Sequence, residues 1–326
     1  RYTSGKAQQL FRGLDGLTYP ISIDPSLSTT RRDSMQRYFD QGLVLAYGFN
    51  HAEAARSFWQ VTRMDSTCAM GWWGFAYVLG PNYNAGMEAD NYARAYDASM
   101  KAMALKDRCT TKEQGLIDAM ALRYAKEAPT DRSPLDKAYS EALRTLSAKH
   151  PDDADIAALF AESLMDQHPW DLWNMDGTAK PWTPEIIAAL DRSMKNFPTH
   201  FGAHHLHIHA VEASRDPDRA LASARFLQHA VPGSGHLVHM PSHIYIRDGR
   251  YHEGVLANQR SVSVDSGYTA GCHAAGIYPI AYFPHNIHFL SACATFTGDK
   301  DLAWTSALDL RAHLARDLMT MPGLST

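Results

Sequence analysis

The sequence predicts an all-α chain, built of helix–turn–helix pairs that stack into a right-handed superhelix. Three observations carry that expectation. From Asp33 onward apolar residues recur at three- and four-residue steps, for example Phe39, Leu43 and Tyr47, then Ala54, Phe58 and Val61, as one face of a helix requires. Short Gly, Pro and Asp stops separate the periodic stretches, and landmark residues return at a 34-residue step. No stretch alternates with period two for long enough to make a sheet.

The elements follow in order. Residues 1–32 carry turn formers (Gly13, Gly16, Pro20, Pro25) and little periodicity, so they are expected to form an irregular N-terminal arm ahead of a repeat domain over 33–326. Residues 34–48 pair with 51–64, 201–214 with 217–230, 235–248 with 251–264, and 284–297 with 300–316. Looser pairs join 67–79 to 91–105, 111–125 to 133–149 and 154–166 to 184–196. The stops are Gly48-Phe49-Asn50, Asp65-Ser66, Gly80-Pro81, His150-Pro151, Asp216-Pro217, Gly249-Arg250 and Gly298-Asp299. Small residues at Ala220 and Gly254 stand 34 apart, where two helices of a pair must approach closely. A repeat of this length is of tetratricopeptide type, with first helices on the concave wall. Pro241 falls inside one of those first helices and is expected to bend it.

Composition excludes several classes. The 31 basic and 35 acidic residues are dispersed, so no basic block addresses nucleic acid. No apolar run approaches the ~20 residues of a membrane span. Cys68, Cys109, Cys272 and Cys293 lie far apart, without CxxC or CxxCH spacing. No Gly-rich phosphate loop, GxSxG elbow or HExxH motif is present, and no nucleotide cofactor is expected.

One residue type is out of proportion. Of 17 histidines, 13 lie between His200 and His288, where an even spread would place roughly five. His205 and His209 stand four apart, one turn apart on one helix face. Adding 34 to each gives His239 and His243 on the next repeat. When the third first helix is aligned on its Gly298-Asp299 turn, His288 takes the place of His205 and His239, and His285 that of His236. Glu212 continues the stripe. Imidazoles held in this way supply the three or four donors near 2.0–2.2 Å that a transition ion needs. The expected ligands are therefore His205, His209, His239, His243, His285 and His288, with His236 as a ligand or an outer partner. Imidazole suits copper, zinc or iron.

Other features read more plainly. His204 and His207 fall off the stripe and read as packing, and Met240 as a soft ligand or core filler. His273, beside Cys272 in the insertion around 266–279, could close over the groove. Cys68 reads as a buried thiol. Trp170, Trp173 and Trp182 flank a loop that binds a partner or packs over the helices. Trp72, Trp73, Phe75 and Tyr77 read as core and groove wall.

The segments His239-Met-Pro-Ser-His-Ile, Ala203-His-His-Leu-His-Ile-His-Ala-Val-Glu and Pro284-His-Asn-Ile-His-Phe-Leu resemble a bacterial group of tetratricopeptide-repeat proteins, as do Asn50-His-Ala-Glu-Ala-Ala-Arg-Ser-Phe and Cys68-Ala-Met-Gly-Trp-Trp-Gly. The likeness runs over most of residues 35–320 and implies the repeat fold more than an activity. It also implies an exported protein, and that a chain beginning at Arg1 is shortened at one or both ends.

Three functions compete. A metalloenzyme would use copper or iron for redox and oxygen chemistry, or zinc to activate water with Glu212 as general base. A scaffold would bind a peptide or protein partner in the groove. A metal carrier would fill every coordination position with protein ligands.

Overall fold

The computed structural model describes residues 8–272 and 277–314. Among these residues the chain is helical without a strand, and only Asn82 with Ala85 and Trp173 with Ala179 form isolated bridges. In chain order the helices are α1 (Thr29–Tyr47), α2 (His51–Met64), α3 (Ala69–Leu79), α4 (Tyr92–Ala104) and α5 (Thr111–Leu122). α6 (Ser133–Lys149), α7 (Ala154–Met165), α8 (Thr183–Asn196), α9 (Phe201–Val211) and α10 (Leu221–Ala230) follow. The last are α11 (Gly235–His239), α12 (Pro241–Arg247), α13 (Tyr251–Cys272), α14 (Phe283–Thr297) and α15 (Lys300–His313). Each packs on its neighbour in sequence, and α1 on α3, α3 on α5 and α7 on α9 bring alternate helices side by side.

The expected stops cap these helices. Asp65, Gly80 and His150 close α2, α3 and α6, and Gly298 closes α14 in the left-handed conformation at φ 77°. Asp299 opens α15 by accepting from Leu302 N, and Thr110 with Glu113 forms a capping box on α5. Gly254 is small because a Cβ there would stand 2.7 Å from Cys293 Sγ of α14. The close approach is thus to the following pair rather than within its own.

Three boundaries differ from expectation. Ser28 caps α1 through its side chain, so the helix starts at Thr29 and the irregular segment ends earlier than 32. Residues 8–28 are irregular but bound along α1: Gln41, Asp40 and Gln36 accept from the backbone N–H of Phe11, Tyr19 and Ile21. Second, α13 runs on to Cys272, beyond the expected 264. Its later turns bury polar Ser261 and Asp265, which carry no apolar periodicity. The rest of the insertion includes a π-helical turn, Tyr278–Tyr282; His273 lies outside the described residues. Third, Pro241 splits its helix: α11 stops at His239 and α12 restarts with the proline in its first turn, where no N–H is needed.

Helices α3, α7, α9 and α11 form much of the interior. Every residue of α3 and α9 is buried, whereas α2, α6 and α8 keep exposed faces. Trp73 and Tyr77 of α3 lie in that core, Met240 is core filler, and burial pushes the Cys68 thiol up to about 11. No described helix is long and apolar enough to cross a membrane.

Candidate metal centre

A buried helix with four histidines among eleven residues, as in α9, needs a destination for each ring. His204 and His207 turn to α10, where the Nδ1 of each meets Ser223 Oγ at 2.9 and 3.0 Å. His205 and His209 turn the other way. His205 Nδ1 donates to Tyr47 O at 2.6 Å, satisfying a carbonyl left open at the end of α1. His209 Nδ1 donates to Glu212 Oε1 at 2.7 Å. Both Nε2 atoms are left buried without a partner, and so are both nitrogens of His236. One nitrogen of each of His205, His209 and His236 lies within 4.8 Å of the others. An unsatisfied buried polar atom costs about 1–3 kcal/mol, so this convergence asks for an occupant.

A second group stands beside it. His239 Nε2 lies 2.9 Å from His243 Nε2, and His285 Nε2 is 3.3 Å from the same atom. The outer nitrogens fix the protons. His243 Nδ1 donates to Glu212 Oε2 at 2.6 Å, and His239 Nδ1 to Asn258 Oδ1 at 2.6 Å. The Asn258 amide cannot turn round, because its Nδ2 donates to Gly254 O at 2.8 Å. With both Nδ1 atoms protonated, two neutral rings would point lone pairs at each other across 2.9 Å. An added cation between them relieves this, either a metal ion or a proton shared by the two Nε2 atoms. Burial and the neighbouring imidazoles His243 and His285 hold His239 well below the usual histidine range, which disfavours a proton there near neutrality. Separations of about 2.9–3.3 Å are what N–metal–N angles of about 90–109° give at metal–nitrogen bonds of about 2.0–2.1 Å.

Glu212 joins the groups, since its two oxygens accept from His209 and His243. It occupies the C-cap of α9, where the helix field disfavours a negative charge. Burial pushes its carboxyl up, but His243 and His209 outweigh that and hold it well below the carboxylate range. With one bond to each oxygen, it orients both imidazoles. Phe49 was not foreseen. Its ring centroid lies 4.5 Å from His205, 5.9 Å from His209 and 5.7 Å from His236. It keeps that place with φ at 55°, a strained setting for a phenylalanine. Its position in the Gly48-Phe49-Asn50 stop was the available signal. Tyr47 and Asn258 were equally invisible, because an anchoring carbonyl or amide leaves no periodic mark.

The structure therefore brings together six of the expected histidines, with His236 in a group and His288 outside both. His288 is exposed and lines a cavity of about 560 Å³ that also reaches His209, His236, His243 and His285. Apolar Ile277, Ile280, Leu310 and Leu314 form much of the remaining wall. From the tryptophan loop, Trp170 reaches the same cavity and lies edge-on to His209 at 5.6 Å; Trp173 Nε1 donates to Ala210 O. Among the described residues, the arrangement is that of an all-helical protein with two histidine groups that could each hold a metal ion. No family model matches the chain, and no curated protein matches it.

Proposed function

We propose that this protein is a metalloenzyme with a pair of transition ions, one on His205, His209 and His236 and the other on His239, His243 and His285. The observation that carries the reading is the meeting of three Nε2 atoms in the second group, with the Nδ1 protons of His239 and His243 turned outward. Three ligands per ion leave open positions, and the shared cavity gives them a substrate space. A carrier with saturated ions would not need that space. A peptide scaffold would expose its groove residues, whereas His205, His209, His236, His239 and His243 are all buried.

Charge favours copper. All six donors are neutral imidazoles, and Glu212 is the carboxylate that bonds to them. Two divalent ions would bury about three uncompensated positive charges, and two monovalent copper ions about one. Copper with open positions beside an apolar cavity fits oxygen or redox chemistry; zinc would imply activated water. We also assign the helical pairs to a tetratricopeptide-like superhelix of the bacterial histidine-rich group. The 34-residue return of His205 and His209 at His239 and His243, both pairs at the centre, supports this.

Elemental analysis by plasma mass spectrometry tests the proposal, on protein purified without a metal-affinity column. The expected content is about two equivalents of copper, falling to about one in His239→Ala and unchanged in His168→Ala. Metal below about a tenth of an equivalent after reconstitution overturns it.

A further inference from the structure

Next to the histidine cavity lies another, of about 420 Å³, bounded by the turn at 81–86, the start of α6 and the segment after α7. The two share Asn84 and Trp170 in their walls. Asp166 stands in the wall of this second cavity with its side chain 4% exposed. Its Oδ2 accepts from Arg123 Nη2 at 3.0 Å, while Oδ1 is buried without a partner. The Arg123 guanidinium also donates to Tyr77 O and Pro81 O, while its Nε has no partner. Glu162 is buried close by, accepting from Tyr77 Oη. At the rim, Arg132 and Asp136 neutralise each other through bonds of 2.6–2.9 Å. Asp166 Oδ1 is thus unanswered, and burial together with the neighbouring Glu162 pushes the Asp166 carboxyl well above the carboxylate range, a cost that a bound cation would offset. Tyr83 and Trp170, with ring centroids 5.3 Å apart, add an aromatic wall.

We propose that this second cavity is a binding subsite for a cationic nitrogen, a primary ammonium or a guanidinium, taken by Asp166 Oδ1 beside the Tyr83 and Trp170 rings. A cation donates the hydrogen bond that Oδ1 lacks, favours the ionised form of Asp166 and gains from the faces of aromatic rings. A neutral donor meets the first need alone, and an anion none. Because the cavities adjoin at Asn84 and Trp170, a molecule held here by its nitrogen would extend an apolar portion toward the histidines. Only that extension rests on the metal reading; the subsite does not.

Calorimetric titration of chelator-stripped protein tests the subsite, with hexylammonium, hexylguanidinium, hexanol and hexanoate as probes. At least one cation is expected to bind about tenfold or more tighter than hexanol, with hexanoate weakest. The ratio of the two cations tells which nitrogen the site takes. Asp166→Asn is expected to erase the preference for charge. Hexanol binding as tightly as both cations, or a folded Asp166→Asn protein that keeps the preference, overturns the proposal. If Asp166→Asn fails to fold, Ser133→Trp decides, because Ser133 is an exposed residue lining the same cavity. Loss of cation binding there upholds the subsite, and unchanged binding refutes it. Because no metal is present, failure of the metal reading leaves these outcomes intact.

Discussion

The two histidine groups are related by the repeat and differ in what holds them. His205 and His209 recur 34 residues on as His239 and His243, and His285 stands in the third helix where His236 stands in the second. The ligand skeleton is duplicated, but the supports are not. In the first group His205 leans on a backbone carbonyl of α1, and neither nitrogen of His236 has a partner. In the second, His239 is fixed by Asn258, and its ring nitrogen already touches that of His243. A repeat supplies side chains in phase, while tautomer and aim come from residues outside it. The second group is accordingly the better preorganised and, on the proposed metal reading, should hold its ion more tightly.

The largest expected effect comes from buried histidines inside and outside the groups. Burial, together with neighbouring charges, holds His285 and His51 at about 3, while an unfolded histidine titrates near 6.5. The unfolded chain therefore takes up protons first, and stability present above pH 6.5 is lost as pH falls toward 3. Thermal melts of metal-free protein should show a loss on the order of several kcal/mol across that window. A flat profile would mean that the rings are not held neutral inside the fold.

His243→Ala comes next, since this ring belongs to one group and contacts the carboxylate of the other. Chelator competition should show the second ion gone and the first bound about tenfold more weakly. An unaffected first ion would make the groups independent. Glu212→Gln is expected to weaken both by about 10–100-fold, and a loss confined to one group would break the comparison. Asn258→Ala should cost about tenfold in the second group alone. The smallest effect is reserved for His288→Ala: metal content unchanged, with any change confined to what enters the cavity.

Much of this was legible before the structure, and for physical reasons. The i, i+4 pairs survive in the sequence because a helix face and a repeat both impose periods. Pro241 announced a bend because it cannot donate, and the helix breaks there outright. The distinction between His285 and His288 was less accessible, since three residues separate them on one helix and only packing selects the ring that faces His243. The continuation of α13 beyond 264 was hidden by buried Asp265, which accepts from Tyr278 and Asn286 where an apolar pattern was sought. Phe49 carries no motif at all; its role depends on a backbone angle.

If both groups hold ions as proposed, one carboxylate bonded to the two has a consequence for how the centre fills. The first ion to arrive takes up the attraction of Glu212, and the next meets a field from which that counter-charge has largely been spent. Occupancy of one half then raises the dissociation constant of the other, so loading is anti-cooperative and stepwise. On the proposed two-ion reading, the protein would accumulate half-filled under scarce metal, and two-ion chemistry would need a supply above the weaker constant.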